Sequence, residues 1–295
     1  VAIICIHLAG DNAWRWMLSS AAVFALVTLF LRLGIPESPR WLINKGRVEE
    51  ADASIKQVFG PSYGVEHFGE PEPEVKATLA SVFKPPYLTR TLFVSLFWMC
   101  QVIPLLSIYS FSFDILGKVG LSGNGAEVFL AVLFVAGGIP GLFLVDRIGR
   151  KALLIYTFLG IGVIWGVAGL IPGLPYMLVF AAVCAFALLS GASNFLEIVY
   201  PNELFPTEIR ATAVGIGTAA SRIGAAVAVY LMPFALDRGI NWVLLVGAAI
   251  SFVGLAVTLA WGVETAGRSL GDASSGQPAD ASRSTATTAA LEVQS

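Results

Sequence analysis

The sequence predicts an all-α integral membrane protein with about seven transmembrane helices. Of its 295 residues, 56% are hydrophobic and only 13% are charged, and the mean hydropathy is +0.78. A soluble domain carries about 25% charged residues, so this chain has roughly half the usual proportion of residues that favour contact with water. The apolar residues form long uncharged runs, and one membrane span needs about 20 of them. These properties exclude a soluble enzyme, a secreted module and a nucleic-acid-binding protein.

The uncharged runs give the number of spans. The run 152–196 is too long for one helix, and its middle, Ile-Pro-Gly-Leu-Pro at 171–175, contains residues that break helices. This run therefore predicts two helices. Each of the other runs predicts one helix, and one of them is interrupted only by Arg222; these runs are 16–31, 92–113, 128–145, 211–236 and 239–263.

Lys and Arg are distributed unequally between alternate loops, and this asymmetry predicts the orientation. One set of loops carries fourteen of them and the opposite set carries three. The positive-inside rule places the richer set in the cytoplasm, including the segment 32–90, the loops 146–151 and 201–210, and the C-terminus. We expect a multi-pass protein of a plasma membrane, and the Ala- and Gly-rich composition favours a bacterial inner membrane.

Four segments are expected along the chain. Residues 1–35 hold the end of one helix and one complete helix, and residues 36–90 form a cytoplasmic loop with a surface helix in the amphipathic stretch 39–59. Residues 91–264 form a six-helix bundle, and residues 265–295 form a cytoplasmic tail whose Ser, Thr, Ala and Asp composition predicts disorder. Because the chain begins with an apolar stretch too short to span a membrane, we interpret it as a fragment.

The residues that usually carry metals or catalysis are scattered. Cys5, Cys100 and Cys184 each lie inside an apolar run, and His7 and His67 are far apart. This spacing fits neither a disulfide framework nor a metal site. The sequence contains no catalytic cluster and no phosphate-binding loop, so we expect no cofactor, no metal and no enzymatic activity.

Four motifs occur in order on the predicted cytoplasmic side. They are PESPRWL at 36–42, DRIGRK at 146–151, YPNELFPTEIR at 200–210 and ETAGRSL at 264–270. Together they resemble the loop motifs of the major facilitator superfamily, in its sugar-porter-like and organic-ion branch of metabolite:proton symporters. The resemblance extends over residues 1 to about 270.

The resemblance implies a secondary active transporter that moves a small solute by alternating access. Such a transporter has two six-helix halves that rock around a central site. On this alignment the chain holds the end of helix five and all of helices six to twelve, so most of the N-terminal half lies outside it. The expected partners are a small-molecule solute, protons, the lipid bilayer and that N-terminal half.

The motif at 146–151 crowds the cytoplasmic mouth with charge, and its glycine allows a tight turn. In the family such charges form interhelical pairs that lock one conformation, and Glu203 and Arg210 resemble their partners. Ion pairs that break on opening change the energy of one state only. The alternative is a set of solvated positive-inside charges. The expected gating residues are Asp146, Arg147, Gly149, Arg150, Lys151, Glu203, Arg210, Glu37 and Arg40.

Arg222 is the charge that the sequence places deepest in the membrane. It follows Arg210 by twelve residues, which is about 18 Å along a helix and close to the bilayer midplane. Ionisable groups at this depth face a cavity or a partner. The resemblance to organic-anion members of the family implies that Arg222 binds the carboxylate of the substrate. The alternative is a structural ion pair with Glu197, which is also a candidate for protonation in coupling.

Further polar residues are expected to contact the substrate. Gln101 and Tyr109 share one face of a helix, and Gln101 resembles a sugar-contacting glutamine of sugar porters. Asn194 lines the same cavity or bonds a neighbouring helix. The sequences around Gln101 and Asn194 lack the Gln-Gln and Gly-Pro-x-x-Trp patterns of sugar porters, which favours an organic anion. A sugar:proton symporter is the alternative substrate class, and a non-transporting membrane sensor or an inactive remnant is the alternative protein class.

Overall fold

The computed structural model describes residues 12–68, 80–110, 117 and 124–267. Within these ranges the protein contains ten α-helices and no strand, which confirms the predicted all-α class for the described part. Two short 3₁₀ turns cover Val65–Phe68 and Ser81–Phe83. The helices are α1 (Ala13–Arg32), α2 (Pro39–Asn44), α3 (Val48–Phe59), α4 (Tyr87–Ser110), α5 (Asn124–Ile148), α6 (Arg150–Leu170), α7 (Tyr176–Asn194), α8 (Leu196–Leu204), α9 (Thr207–Asp237) and α10 (Ile240–Trp261).

Seven segments of the described chain are long and apolar enough to cross a membrane. This number agrees with the seven predicted spans. The break predicted at 171–175 is confirmed, because α6 ends at Leu170 and α7 begins at Tyr176. The seven segments lie in α1, α4, α5, α6, the pair α7 and α8 taken together, α9 and α10.

The chain forms two compact units, Val1–Glu74 and Val75–Ser295. In the first unit the amphipathic stretch 39–59 contains two short helices, α2 and α3, and the chain turns at Gly46 between them. Gly46 has φ +73°, which glycine adopts without strain. Its N–H donates to the Ile43 carbonyl at 2.9 Å, and the next N–H donates to the Leu42 carbonyl at 2.9 Å. This is the hydrogen-bond pattern of a Schellman cap, which ends a helix.

The second unit is a bundle of α4 to α10. Helix α9 packs along α4, α10 packs along α6 and α4, and α5 packs along α7. Two glycines allow α5 and α7 to approach closely. A Cβ atom at Gly137 would lie 2.1 Å from the Leu188 carbonyl oxygen, and one at Gly141 would lie 2.3 Å from the Ala192 carbonyl oxygen. The backbones of the two helices therefore touch at these positions.

Aromatic side chains fill the interior of this bundle. Phe93 and Phe97 of α4 pack against Tyr200 of α8, with ring centroids 5.5 and 6.0 Å apart, and all three are buried. Trp165 of α6 packs against Phe186 of α7 at 4.4 Å. These two clusters hold α4, α6, α7 and α8 in fixed relative positions, which fixes the polar groups between them.

One membrane span contains an irregular segment of helix. Helices α7 and α8 belong to a single span, and Phe195 between them keeps helical backbone angles, with φ −67° and ψ −19°. Pro201 lies inside α8, and because proline has no N–H, the carbonyl of Glu197 loses its helical donor. The Asn202 side chain donates to the Ile198 carbonyl at 2.7 Å. The helical hydrogen-bond ladder is therefore incomplete near Glu197, which leaves a backbone acceptor inside the span.

Candidate functional site

A small polar cavity lies beside the junction of α7 and α8, between α4, α6, α7, α8 and α10. Its volume is about 20 Å³, which is enough for one water molecule. Three of the predicted substrate-binding residues, Gln101, Asn194 and Glu197, meet in its wall. The full set of polar side chains in the wall is Gln101, Thr157, Ser190, Ser193, Asn194, Glu197 and Ser251.

The residues that line this cavity carry hydrogen-bond acceptors that lack a donor. The Gln101 amide oxygen, Oε1, is buried and accepts no hydrogen bond from the described residues. Pro104 lines the same cavity, and its missing N–H leaves the Cys100 carbonyl without a helical donor. A buried acceptor left unsatisfied costs about 1–3 kcal/mol. The site therefore gains stability from any donor that enters, whether a water molecule or a solute hydroxyl.

Glu197 connects this cavity to Arg222. The Trp98 indole lies near its carboxylate, and the Arg222 guanidinium on α9 interacts with it electrostatically. The Arg222 side chain is exposed. Among the residues that the structure describes, no ion pair within 4 Å involves Arg222. A positive charge is thus held near the cavity wall with its hydrogen-bond donors available.

Tyr109 lies elsewhere. Its hydroxyl is 3.5 Å from the Leu130 carbonyl oxygen, and its ring packs edge-on against Phe134 at 6.1 Å. Both of these residues belong to α5, and Tyr109 does not line the cavity around Gln101. The structure therefore groups Gln101 with Asn194 and Glu197 and places Tyr109 between α4 and α5.

A second group of polar residues gathers at one end of the bundle, which we call the charged end. The Arg150 guanidinium donates to both oxygens of Glu203, with Nε–Oε2 at 3.2 Å and Nη2–Oε1 at 3.1 Å. Its Nη1 atom is 3.2 Å from Oδ1 of Asp146. Arg150 and Glu203 are largely buried, with side chains 16% and 17% exposed, whereas Asp146 is 76% exposed. The pair between Arg150 and Glu203 joins α6 to α8.

Glu264, just beyond α10, completes this network. Its carboxylate accepts the backbone N–H groups of Arg150 at 2.9 Å and Lys151 at 3.2 Å, which are otherwise unsatisfied at the start of α6. The Thr265 hydroxyl donates to Glu203, and the Tyr200 hydroxyl donates to the Val263 carbonyl. The charged end therefore ties α6, α8 and the segment after α10 together.

The other predicted gating residues are more peripheral. The Lys151 amine donates to the Leu259 carbonyl at 3.4 Å, and the Arg210 Nε atom donates to the Phe205 carbonyl at 3.1 Å. The Arg147 side chain is exposed. Glu37 belongs to the first unit, where its carbonyl accepts the Ser54 hydroxyl at 2.9 Å. The Arg40 side chain is outside the described part of the chain.

The sequence prediction missed two residues of the charged end. Glu264 was recognised only as part of a motif, although its carboxylate caps α6. Arg90 was counted as a loop charge, but it is 7% exposed and its Nη1 atom donates to the Leu204 carbonyl at 2.6 Å. The signal for Arg90 was its position at the start of an apolar helix, where an arginine that is not in solvent requires a carbonyl or acidic partner.

The described part of the chain contains a helical bundle of membrane-spanning segments with an interior polar cavity and an interhelical charge network. The sequence profile of the family described as "Sugar (and other) transporter" matches residues 1–275. The chain belongs to this family. The predicted resemblance to the major facilitator superfamily is thereby confirmed, as is the prediction that the protein is not an enzyme.

Two similar proteins carry names that are consistent with this family. The chain is 39% identical over 285 residues to the "Putative metabolite transport protein YaaU" of Escherichia coli strain K12, covering 93% of this chain and 63% of that protein. It is 37% identical to the inner membrane metabolite transport protein YgcS of the same strain, covering 88% of this chain and 58% of that protein. This chain therefore spans about 60% of the length of these relatives.

Solved structures show the same fold. The structure of the proton:xylose symporter XylE, bound to 6-bromo-6-deoxy-D-glucose, superposes with a TM-score of 0.69 at 18% sequence identity. The match covers 92% of this chain and 62% of that one. At this level of identity the likeness concerns the fold, and it supports the predicted helical bundle of the major facilitator superfamily.

Proposed function

We propose that this protein is a secondary active transporter that moves a small organic anion by alternating access, with Arg222 binding the carboxylate of the substrate. The observation that carries this proposal is the exposed arginine in the middle of a membrane-spanning helix, which interacts electrostatically with Glu197 in the wall of the polar cavity. Membership of a transporter family supports the transport activity.

The position of Arg222 suits an anion site. It is the sixteenth of the 31 residues of α9, so both helix ends are about 22 Å away. A charge at such depth is costly unless it faces a cavity or a partner. Arginine offers a planar set of donors that matches a carboxylate in two parallel hydrogen bonds. A substrate carboxylate provides the partner that Arg222 requires at this depth.

Glu197 supplies a route to proton coupling. The Glu197 carboxylate and a substrate anion compete for the positive charge of Arg222. Protonation of Glu197 removes one of the two competitors, so proton binding and anion binding favour each other. In this mechanism the Trp98 indole orients the Glu197 carboxylate. Gln101 and Asn194 contact the polar part of the solute, whereas Tyr109, two turns further along α4, lies outside this cavity and has a secondary role.

The charged end acts as the conformational lock in this proposal. The Arg150–Glu203 pair and the contacts of Glu264 stabilise the arrangement in which α6, α8 and the end of α10 are together. A conformation that separates these elements loses all of these interactions at once. With the Lys and Arg asymmetry of the loops, the charged end and the C-terminus face the cytoplasm.

A sugar:proton symporter is the second candidate. The buried Gln101 oxygen and the hydroxyl-lined cavity favour a neutral solute that donates hydrogen bonds. The description of the family includes sugars, and XylE carries xylose. This candidate assigns no role in substrate binding to Arg222, so the two candidates differ in what removal of that charge does.

The test measures solute binding to the purified chain. Binding is monitored by tryptophan fluorescence, because Trp98 lies near Glu197. A panel of monocarboxylates, dicarboxylates, D-glucose and D-xylose is titrated into the parent chain and the Arg222→Ala and Arg222→Lys variants. We expect a carboxylate to bind and Arg222→Ala to weaken it about a hundredfold, as for a lost charge-assisted pair. Arg222→Lys retains the charge and loses the planar donor set, so its affinity is intermediate.

Arg32→Ala, which removes a cation at the end of α1, is the matched control and leaves binding unchanged. Equal carboxylate affinity in the parent and Arg222→Ala contradicts the anion site. Binding of a sugar that survives Arg222→Ala supports the second candidate. For coupling, Glu197→Gln imitates the protonated carboxyl, so anion binding to this variant is expected to lose its dependence on pH; a retained dependence contradicts the role of Glu197.

A further inference from the structure

A large apolar groove runs between α9 and α10, with α4 as its floor. Its volume is about 830 Å³, within the range of about 300–1,000 Å³ typical of ligand sites. Its α9 wall is formed by Ile223, Val227 and Leu231, which are 67%, 53% and 51% exposed. These side chains are open to the surroundings of the bundle along about two turns of a membrane-spanning helix.

Small residues create the space. Gly224 and Ala228 of α9 and Gly247 of α10 line the groove. The ring of Trp165 occupies the place of a side chain at Gly247, since a Cβ atom there would lie 2.1 Å from two of its ring carbons. The groove is therefore bounded by backbone and by an aromatic ring that is itself buried.

The groove has one charged residue in its lining, and it lies at one end. Arg238 follows the last residue of α9, at the end of the bundle opposite to the charged end. Trp242, in the first turn of α10, lies beside it and is 54% exposed. No ion pair of Arg238 occurs within the described ranges. The neighbouring Asp237 does not line the groove.

This combination matches the chemistry of a phospholipid. Tryptophan is enriched where a membrane protein crosses the interface between headgroups and acyl chains. An arginine at the same level binds phosphate with two hydrogen bonds, and basic pockets between membrane helices bind anionic headgroups. The apolar groove below then receives an acyl chain.

We propose that the groove between α9 and α10 binds one anionic phospholipid, with its phosphate on Arg238 and an acyl chain along Ile223, Val227 and Leu231. The groove shares only Pro104 with the lining of the cavity around Gln101, and the proposal does not depend on the substrate of the transporter. A bound lipid contacts both α9 and α10, which are joined at this end by Arg238 and Gly239.

The test is lipid retention by the purified chain, measured by native mass spectrometry after equilibration with phosphatidylglycerol or phosphatidylcholine in mixed micelles. We expect one phosphatidylglycerol to be retained in preference to phosphatidylcholine. Arg238→Gln is expected to reduce that preference about tenfold, which corresponds to one charge-assisted contact. Ala228→Phe fills the groove and is expected to reduce retention of both lipids.

Two matched controls accompany these variants. Arg15→Gln removes a cation near the start of α1, and Ala226→Phe adds the same ring on a part of α9 that does not line the groove; both retain lipid like the parent. Equal retention of the two lipids by the parent, or unchanged preference in Arg238→Gln, contradicts the proposal. Displacement of the lipid by inorganic phosphate alone assigns Arg238 to free phosphate and also contradicts it. Arg238 is exposed, so its variant tests the proposal even if Ala228→Phe does not fold.

Discussion

The Glu264 carboxylate occupies the space that a side chain at Gly149 would require. A Cβ atom at Gly149 would lie 2.3 Å from Oε2 of Glu264, and Gly149 has φ +92°. Two independent facts thus require glycine at this position, one from backbone conformation and one from packing. The glycine of the loop motif allows the acidic residue beyond α10 to reach the start of α6.

Gly149→Ala is therefore expected to destabilise the second unit by about 1–3 kcal/mol, because alanine is strained at this φ and displaces the carboxylate. Thermal unfolding in detergent, followed by helical circular dichroism, measures the change. Gly215→Ala is the control, since Gly215 is inside α9 with nothing within 4 Å of an added Cβ atom. An unfolding midpoint of Gly149→Ala equal to that of the parent would contradict the described cap.

The pair formed by Arg150 and Glu203 is expected to couple strongly. Both side chains are more than four-fifths buried, so a double-mutant cycle of Arg150→Gln and Glu203→Gln should give an interaction energy of about 1–3 kcal/mol. Glu203→Gln keeps an acceptor for the Thr265 hydroxyl, which limits secondary damage. The free energies come from denaturant unfolding of the four proteins.

The exposed pair of Arg47 and Glu50, joined at 2.7 and 2.6 Å, is the control for this cycle. Its side chains are about half exposed, and exposed pairs contribute little because water screens them. We expect its coupling to be much smaller than that of Arg150 and Glu203. Additive effects of the two buried substitutions would contradict a lock at the charged end.

Two neighbouring glycines of α5 should respond differently to alanine. A Cβ atom at Gly137 would lie 2.1 Å from a carbonyl oxygen of α7, whereas one at Gly138 would lie 3.6 Å from the nearest atom, the Gly191 carbonyl oxygen. Gly137→Ala is expected to cost about 1–3 kcal/mol or more through overpacking. Gly138→Ala is expected to be neutral or stabilising by up to about 1 kcal/mol, because alanine favours the helix. Equal unfolding midpoints of the two variants would refute the close approach of α5 and α7.

A substitution at Gln101 is expected to weaken solute binding without lowering the free energy of unfolding. Gln101→Met has nearly the same volume and removes a buried acceptor that lacks a donor, so the free energy of unfolding should be unchanged or higher by about 1 kcal/mol. Binding of a polar solute, measured on the same sample by titration, should weaken. Gln57→Met, at an exposed position of α3, should change neither quantity. A clear loss of stability in Gln101→Met would mean that the amide has a structural role.

The spans were predictable because a bilayer imposes a length and a composition on each helix. The end of α6 and the start of α7 were predictable from the prolines at 172 and 175. The number of spans was predictable from the uncharged runs. The position of the turn at Gly46 was not predictable from amphipathic spacing, which continues through it, because the turn depends on one residue with positive φ. The hydrophobic periodicity over 39–59 therefore predicts which side chains are exposed, but it does not predict where α2 ends.

The grouping of Gln101, Asn194 and Glu197 was predictable in part, since polar residues inside spans must face one another or a cavity. Tyr109 was not, because sharing a helical face with Gln101 does not determine which neighbour that face meets two turns further along. The contact of Glu264 with the backbone of Arg150 joins residues 114 positions apart. Such a contact depends on the packing of α10 against α6, which no local pattern contains.

Helix α8 carries one carboxylate of each polar region of the molecule. It has nine residues, with Glu197 in its first turn and Glu203 in its last, about 9 Å apart along the axis. The extended residues Phe205 and Pro206 separate it from α9, whereas Phe195 keeps helical backbone angles at its junction with α7. The cavity and the charged end are therefore linked through a single short helix, so a change in the position of α8 would alter both.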